Sequence, residues 1–236
     1  MKFQTIVAPT ITELFERQLQ DIILSGQVAP GEKLPSEAEL ADTMHISKSA
    51  VHAGIKNLER MGFVRISPRH GVYIADYTEC GNVDTLIALL KYYNGTLDQH
   101  TIHSLLEARD VLEGLATRKF IDKHTDEDID KLKKIIADFR SLGMCGTNAD
   151  TQELAELACA FHSYICFKSG NNVIPLIVNG FHEVNIVLWA QWIRQVGPED
   201  AANVLDKFLY YITMQDADSA VQLYKLSAKG FLEKSR

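Results

Sequence analysis

A set of residues that could contact an anionic partner lies between residues 30 and 74. Ser47, Lys48 and Ser49 open a short segment of helical apolar periodicity, and His52 follows about one turn later. A helix that lies in a DNA major groove uses its N-terminal side chains on base edges and phosphates. The spacing therefore predicts a recognition helix.

Three helices and a hairpin must position these side chains. Thr10 with Glu13, and Ser36 with Glu39, form two capping boxes, which predict a helix ending near residues 25–26 and a second helix over 36–44. Ser47 caps a third helix over residues 47–61. Beta-rich runs at 63–66 and 72–74 flank a Pro- and Gly-containing turn, which predicts a hairpin. This order is typical of a winged helix-turn-helix.

The predicted DNA-facing surface combines this third helix with the hairpin and the residues before the second helix. The tip of the hairpin, Arg69-His70-Gly71, is expected to enter a minor groove or to follow the phosphates. The alternative is a protein-binding winged helix with a solvated basic face. The predicted DNA-binding residues are Lys33, Ser36, Glu37, Ser47, Lys48, Ser49, His52, Lys56, Arg65, Arg69, His70 and Gly71.

The charge distribution favours DNA over protein as the partner of this surface. The chain has a formal net charge of −7, but residues 44–76 carry five basic and only two acidic side chains. Phosphate contacts depend on the face that is presented, so a basic patch on an acidic protein is compatible with DNA. Repulsion from the acidic remainder would favour one docking orientation.

The rest of the chain is predicted to be an antiparallel helical bundle, which makes the fold class mostly α. We expect a winged domain over residues 8–76, a linker over 77–83 and the bundle over 84–233. Helical periodicity predicts helices at residues 84–93, 98–122, 126–142, 150–168, 173–195, 199–214 and 216–233, with loops at 143–148 and 169–172.

Two charged residues interrupt the apolar stripe of the helix at 98–122. Arg109 and Glu113 fall on it, and a buried charge must be paired or must serve a ligand. Either they form an ion pair within the bundle or at a subunit interface, or Arg109 faces a cavity and binds an organic anion.

On the helix at 150–168, His162 borders the apolar stripe of that helix, near Cys159 and Cys166. Here a core histidine with two buried thiols is expected rather than a metal site.

Several other classes of protein are excluded by what the sequence lacks. It contains no apolar run long enough to span a membrane and no good signal peptide. Its four cysteines, Cys80, Cys145, Cys159 and Cys166, form no C-x-x-C pair, so a reduced, cytoplasmic protein is expected. It also lacks a Glu-x-x-His metal pair, a recognisable catalytic nucleophile and a phosphate loop. We therefore expect that the protein is not an enzyme.

Residues 10–75 resemble the DNA-binding domain of the GntR family of bacterial transcriptional regulators. Where the family often has Arg, this chain has Ala38, Lys48 and His52, which implies an atypical operator or greater reliance on the wing. The matching residues are Gly26, Pro30, Gly31, Leu34, Pro35, Ser36, Glu37, Leu40, Ala41, Ser47, Val51, Leu58, Gly62, Val64 and Gly71.

Residues 84–230 resemble more loosely the effector domain of the FadR-type branch of that family, the FCD domain. The resemblance implies a helical bundle that binds a small organic acid, often over a metal held by one Asp and three His. Here Ala158, Leu205 and Ser227 stand at or near three of those positions, and only His162 remains, so we expect no metal and no cofactor. The matching residues are Glu107, Arg109, Glu113, Phe161, His162, Ser169, Gly170, Asn171, Asp216 and Ala220.

The resemblance implies a ligand-responsive regulator, such as a repressor, that binds a palindromic DNA operator as a homodimer. A small organic, acidic metabolite would bind in the bundle and alter the affinity for DNA. The alternative is a bundle that only dimerises, without an effector. The predicted effector-binding residues are Arg109, Glu113, His162, Asn185, Gln191, Tyr211 and Ser227.

Overall fold

A computed structural model describes the backbone of residues 8–93, 95–144 and 150–234, with side chains as far as Ser227. The chain divides into two units, one ending at Thr96 and the other beginning at Leu97. The fold is mostly α-helical with one small antiparallel sheet in the first unit, as predicted.

The first unit contains the predicted helix-turn-helix and hairpin. The capping boxes at Thr10 and Ser36 are both formed, and Ser47 caps the third helix, so these predictions are confirmed. Strands β1 and β2 pair antiparallel with Val64 opposite Ile74. The elements are α1 Ile11–Leu24, α2 Glu37–Met44, α3 Lys48–Arg60, β1 Val64–Ser67, β2 Gly71–Ile74, α4 Tyr77–Cys80 and α5 Val83–Tyr92.

The core of the first unit depends on a close approach between α1 and α3. Gly54 is buried on α3, and a Cβ atom added there would lie 2.4 Å from a ring carbon of Phe15 on α1. Phe15 itself is only 2% exposed and packs with Val51, Ile55 and Leu58. The helices can therefore pack at this distance only because residue 54 has no side chain.

We expect Gly54→Ala to destabilise the first unit although Ala is the better helix former. Overpacking costs about 1–3 kcal/mol, whereas the gain in helix propensity is about 1 kcal/mol or less. Urea unfolding followed by circular dichroism measures the difference. The matched control is Gly114→Ala in the second unit, where the added Cβ meets Val221 at an ordinary 3.5 Å and stability should not fall. An unchanged or raised stability of Gly54→Ala would contradict the packing argument.

The segment predicted to be a linker, residues 77–83, contains the short helix α4 and leads directly into α5. The start of α5 is fastened to the end of α3: Arg60 pairs with Asp84, Asn82 Nδ2 donates to the Arg60 carbonyl at 2.8 Å, and Thr85 Oγ1 donates to the Met61 carbonyl at 2.5 Å. These contacts explain why α5, which we expected to begin the second domain, falls in the first unit. The limits of the two functional domains stay a prediction.

The second unit is a helical bundle in which α8 packs against α6, α7, α9 and α10. The prediction of one continuous helix over residues 173–195 is wrong in one respect. The segment forms two helices that meet at Phe181, where ψ is 7°. Gly180, a poor helix former, precedes the break. Residues 145–148 of the loop predicted at 143–148 lie outside the described part of the chain. The elements are α6 Gln99–Ile121, α7 Asp126–Gly143, α8 Thr151–Lys168, α9 Ile174–Gly180, α10 His182–Val196, α11 Pro198–Thr213 and α12 Ala217–Lys234.

Candidate functional site

The first turn of α3 presents an exposed, hydroxyl-rich helix start. The Ser47 side chain accepts a hydrogen bond from the backbone N–H of Ala50 at 3.2 Å, and its hydroxyl lies 2.9 Å from that of Ser49. Lys48 is the first residue of the helix and is exposed. The positive end of the helix dipole and the Lys48 ammonium therefore act on the same side, which favours an anion such as a phosphate.

The next turn of α3 is linked to α2 by a polar contact. His52 Nδ1 lies 3.0 Å from a carboxylate oxygen of Glu37, and the His52 side chain is 59% exposed. Lys56, one turn further on, lies 3.7 Å from Glu59. Glu37 thus holds His52 at the exposed face of the two helices, while Lys56 has only a weak partner.

The hairpin carries its basic tip in a left-handed conformation. Arg69 has φ 67° and Gly71 has φ 113°, and His70 Nδ1 lies 2.9 Å from the Pro68 carbonyl. Arg69 and His70 are exposed at the tip, and Arg65 is exposed on β1 opposite Tyr73. Only the glycine takes a positive φ without steric cost, which fits its place in the turn.

Lys33 lies beside the hairpin because the chain before α2 pairs with β2. The Leu34 N–H donates to the Val72 carbonyl at 2.8 Å, and the Ile74 N–H donates to the Glu32 carbonyl at 2.8 Å. A Cβ added at Gly71 would lie 2.7 Å from Lys33 Cε. Ser36 and Glu37 follow at the start of α2, so these predicted residues share one cleft with the hairpin tip. The sequence did not predict this strand-like pairing.

The second unit contains a buried row of charged residues. Arg109 is 8% exposed and Glu113 is 4% exposed on α6. Arg109 Nε donates to Glu113 Oε1 at 2.8 Å, and Glu113 Oε2 lies 3.1 Å from Nδ1 of the buried His162 on α8. Among the described residues, none donates a hydrogen bond of good geometry to Oε2. The ion pair that the sequence left as one alternative is therefore present.

The surroundings keep both members of the pair charged. Burial alone would raise the pKa of Glu113, but the charge of Arg109 and the contact with His162 outweigh it and hold that pKa at about 2. Burial opposes the charge of Arg109 too, yet Glu113 raises its pKa above the ordinary value. Tyr224 has a pKa well above 10, mainly through burial, so its phenol stays neutral.

Arg109 also faces a cavity, as the second possibility raised from the sequence requires. Its guanidinium carbon lies 5.3 Å from the Trp189 ring centre and 5.5 Å from that of Tyr224, and His162 stacks on Trp189 at 4.9 Å. The cavity has a volume of about 40 Å³, enough for a few water molecules. Its lining consists of Leu106, Arg109, His162, Leu188, Trp189, Trp192, Val204, Leu205, Phe208, Leu223, Tyr224 and Ser227.

Two polar atoms near this cavity lack partners among the described residues. Trp189 Nε1 and the Tyr224 hydroxyl are both buried without a hydrogen bond. A buried donor left unpaired costs about 1–3 kcal/mol, so native proteins rarely retain one without a reason. An acceptor in the cavity would satisfy these groups, and with Arg109 they form a set of donors around a mainly apolar space.

The predicted effector-binding residues are distributed unevenly. Arg109, His162 and Ser227 line this cavity, and Ser227 Oγ donates to the Leu223 carbonyl at 3.0 Å. Glu113 and Asn185, together with Arg109, line a smaller second cavity of about 20 Å³. Gln191 and Tyr211 are half-buried and line neither of these two cavities.

The sequence missed the aromatic residues of the lining. Trp189, Trp192, Phe208 and Tyr224 occupy helical spacings that are equally typical of an ordinary core. One sequence signal could have identified Trp189, because it follows Asn185, a predicted effector-binding residue, by one turn on α10. Nothing in the local pattern, however, indicated that α10, α11 and α12 leave space between them.

The described residues contain no group of three or more His, Cys, Asp or Glu side chains that could hold a metal ion. Cys159 and Cys166 are free and buried, and burial raises the pKa of both thiols. Cys159 Sγ lies 3.6 Å from His182 Nδ1. Cys145 lies outside the described residues. Among the described helices, none is both long and apolar enough to cross a membrane.

A winged helix-turn-helix followed by a helical bundle with a mainly apolar cavity and a buried arginine at its wall defines a class of transcriptional regulators. The model of bacterial regulatory proteins of the gntR family matches residues 12–74. The FCD domain model matches residues 104–225, which is more than half of the 236-residue chain. The chain belongs to the GntR family, with an FCD domain as its ligand-binding part, and it is a transcriptional regulator rather than an enzyme.

Individual relatives agree with this assignment. The chain is 26% identical over 175 residues to the uncharacterized HTH-type transcriptional regulator YcbG of Bacillus subtilis, covering 74% of this chain and 68% of the relative. It is 28% identical over 181 residues to the HTH-type transcriptional regulator Mce2R of Mycobacterium tuberculosis, covering 77% and 72%. The structure of Lar, which controls expression of the Listeria monocytogenes agr system, has the same fold, with a TM-score of 0.63 at 16% identity over 96% of this chain and 97% of Lar.

Proposed function

We propose that the protein is a homodimer that binds a palindromic operator in double-stranded DNA in the cytoplasm, and that a small organic anion in the bundle changes its affinity for that DNA. The observation that carries the ligand half is the position of Arg109. Its guanidinium carbon lies 5.3 Å from the Trp189 ring centre and 5.5 Å from that of Tyr224, at the wall of a mainly apolar cavity.

The donors around the cavity favour a carboxylate. Guanidinium matches a carboxylate in charge and shape, and Nε is already committed to Glu113, which leaves the two Nη groups as the remaining donors of Arg109. The unpaired Trp189 N–H and Tyr224 O–H add two more donors. Because Leu106, Leu188, Leu205 and Phe208 supply apolar surface, we expect a compact acid with a hydrophobic body.

The volume of the cavity suggests how binding is coupled to DNA. At about 40 Å³ the space is too small for an organic acid of several carbon atoms unless the lining side chains move. The lining comes from α6, α8, α10, α11 and α12, so a ligand would select a more open packing of these helices. A changed packing in each subunit would alter the spacing of the two recognition helices and hence the affinity for the operator.

The DNA half rests on the basic face of the first unit. Lys48 at the start of α3, Lys33 beside the hairpin and Arg69 at its tip are all exposed, as a phosphate-binding surface requires. A two-fold dimer would place two such helices in successive turns of the major groove, about 34 Å apart. A palindromic operator follows from that symmetry.

The two tryptophans of the chain allow a direct test, because Trp189 and Trp192 both line the cavity. We expect a panel of small carboxylic acids to contain at least one that changes tryptophan fluorescence, raises Tm and alters the anisotropy of labelled operator DNA. Tyr224→Phe should weaken that acid about 5- to 20-fold, since one charge-assisted hydrogen bond is lost. Tyr210→Phe, an exposed tyrosine on α11, is the control and should bind normally.

Two outcomes would contradict the ligand half of the proposal. If no acid in a broad panel changes fluorescence or Tm, a bundle that only dimerises is the better account. If an acid binds but Tyr224→Phe and Tyr210→Phe are indistinguishable from the parent, the binding lies outside this cavity. Neither result bears on DNA binding, which is measured separately.

A further inference from the structure

The outward face of α6 carries an exposed stripe with the spacing of a two-helix seam. Six exposed residues follow one another at intervals of 4, 3, 4, 3 and 4 residues, the heptad spacing that lets two helices pack along their length. The two large apolar members are well exposed, with Val111 at 69% and Leu115 at 46%. The stripe consists of Ser104, Ala108, Val111, Leu115 and Arg118 on α6, with Asp122 at the C-cap of that helix.

The opposite side of the same helix is already occupied. Ile102, Leu105, Leu106 and Ala116 are buried in the bundle, and Arg109 and Glu113 form the buried ion pair. The stripe is therefore an additional apolar surface on α6 that the bundle does not use. Burying such a surface against another helix is favourable in proportion to the apolar area removed from water.

The spacing of the stripe is symmetric about its own centre, so a second copy of this chain can lie on it in register. Its intervals read the same in both directions around the midpoint between Val111 and Leu115. When two copies of α6 cross antiparallel at that midpoint, Val111 of one subunit lies opposite Leu115 of the partner subunit. A two-fold axis generates this arrangement, since a closed dimer uses the same patch on both subunits.

The charges beside the stripe select the antiparallel orientation. Glu107 and Arg118 are 11 residues apart, which is about three helical turns, so they lie on the same edge of the stripe. Antiparallel packing brings Glu107 close to Arg118 of the partner subunit. In parallel packing the same edges of the two helices lie on opposite sides of the contact, so the two charges do not meet. Both side chains are exposed, and among the described residues each pairs with an exposed partner, His103 for Glu107 and Asp218 for Arg118. An exposed pair adds little affinity but fixes orientation.

We propose that the Ala108–Val111–Leu115–Arg118 face of α6 is the surface through which two copies of this chain dimerise, antiparallel and with Glu107 facing Arg118 of the partner subunit. This inference rests on the proposed dimer and adds the surface and the orientation to it. The same helix carries Arg109 and Glu113 on its inner side, so a ligand that moves α6 would act directly on the subunit contact.

The test measures dimer dissociation of the full chain by analytical ultracentrifugation over a dilution series. Val111→Glu should raise the dissociation constant at least about tenfold, since it places a carboxylate at the centre of the contact. Met214→Glu at the C-cap of α11, where the parent residue is 61% exposed, is the matched control and should leave dissociation unchanged. Circular dichroism on each variant verifies that the bundle is folded.

A charge exchange tests the orientation. Glu107→Arg alone and Arg118→Glu alone should each weaken the dimer several-fold, because each places like charges together across the contact. The double variant Glu107→Arg/Arg118→Glu should return to within about threefold of the parent. Arg118→Glu also loses the Asp218 contact, so recovery in the double variant is the decisive reading.

The outcomes separate this inference from the proposed function. A parent chain that stays monomeric at every concentration overturns the dimer itself. A parent dimer that Val111→Glu does not weaken means that the two copies meet elsewhere, and the α6 surface is wrong while the dimer stands. Weakening by both single charge variants without recovery in the double variant overturns the antiparallel pairing.

Discussion

Glu113→Leu is expected to lower the free energy of unfolding of the second unit by about 3–5 kcal/mol, because it leaves a buried guanidinium without its partner. Arg109 is 8% exposed and donates Nε to Glu113 at 2.8 Å. Removing the carboxylate leaves the buried charge of Arg109 without a counter-charge and removes the 3.1 Å contact with His162 Nδ1. Urea unfolding of Glu113→Leu and of the parent, followed by circular dichroism, measures the loss.

The double variant Arg109→Met/Glu113→Leu decides whether the loss comes from the stranded charge. A buried ion pair replaced entirely by apolar side chains often costs little, so most of the stability should return. The coupling between the two substitutions is then large and favourable. Simple additivity of the losses of Glu113→Leu and of Arg109→Met, each measured alone, would show that Arg109 is solvated or otherwise paired when Glu113 is absent.

The same carboxylate predicts a pH dependence. The pKa of Glu113 is about 2 in the fold and 4.5 in its ordinary state, so its contribution to stability is fully present above about pH 4.5. That contribution is lost as the pH falls towards 2, because the unfolded chain binds the proton first. Glu113→Leu should therefore show a smaller loss of stability than the parent between pH 4.5 and 2. Glu156→Gln, an exposed glutamate on α8, should keep the parent slope.

The double variant Lys48→Ala/Arg69→Ala is expected to weaken operator binding about 10- to 100-fold near physiological salt. Each lost phosphate contact lowers the slope of log K against log salt by about 0.9, so the slope should fall by about 1–2. Lys48 is exposed at the start of α3 and Arg69 at the hairpin tip. Fluorescence anisotropy with operator DNA from genomic footprinting, repeated over a salt series, measures both quantities.

The control for the DNA measurement removes the same charge from elsewhere. Lys133 and Lys134 are exposed on α7 and pair with Asp130 and Asp138 on their own helix. Lys133→Ala/Lys134→Ala should leave the affinity and the salt slope close to the parent. Equal effects of the two double variants would mean that overall charge, not the winged surface, governs binding.

Local sequence signals predicted most of the secondary structure because the physics that sets helix ends is local. Thr10 with Glu13 and Ser36 with Glu39 satisfy the free N–H groups of their own helices, so those helices begin where the capping boxes lie. Apolar periodicity likewise identified Val51, Ile55 and Leu58 as core. Apolar periodicity did not predict the break at Phe181, since one glycine inside a helical pattern rarely ends a helix.

The charged residues of the bundle were also identifiable from sequence, but their arrangement was not. Arg109 and Glu113 fall on an apolar stripe, which indicated that they are paired or bind a ligand. The structure has both features, because the guanidinium bonds Glu113 through Nε and still lies at the cavity wall beside Trp189 and Tyr224. No spacing rule relates these aromatic residues to a helix 80–115 positions earlier.

The sequence by itself determined the class of fold, the helix starts and the identity of the charged residues that matter, since caps, turns and periodicity act over a few neighbouring residues. Only the tertiary structure decided that Gly54 sets the distance between α1 and α3, that Lys33 joins the hairpin and that α6 leaves Val111 and Leu115 exposed. These features depend on the positions of surfaces distant in sequence, which packing fixes and local propensity does not.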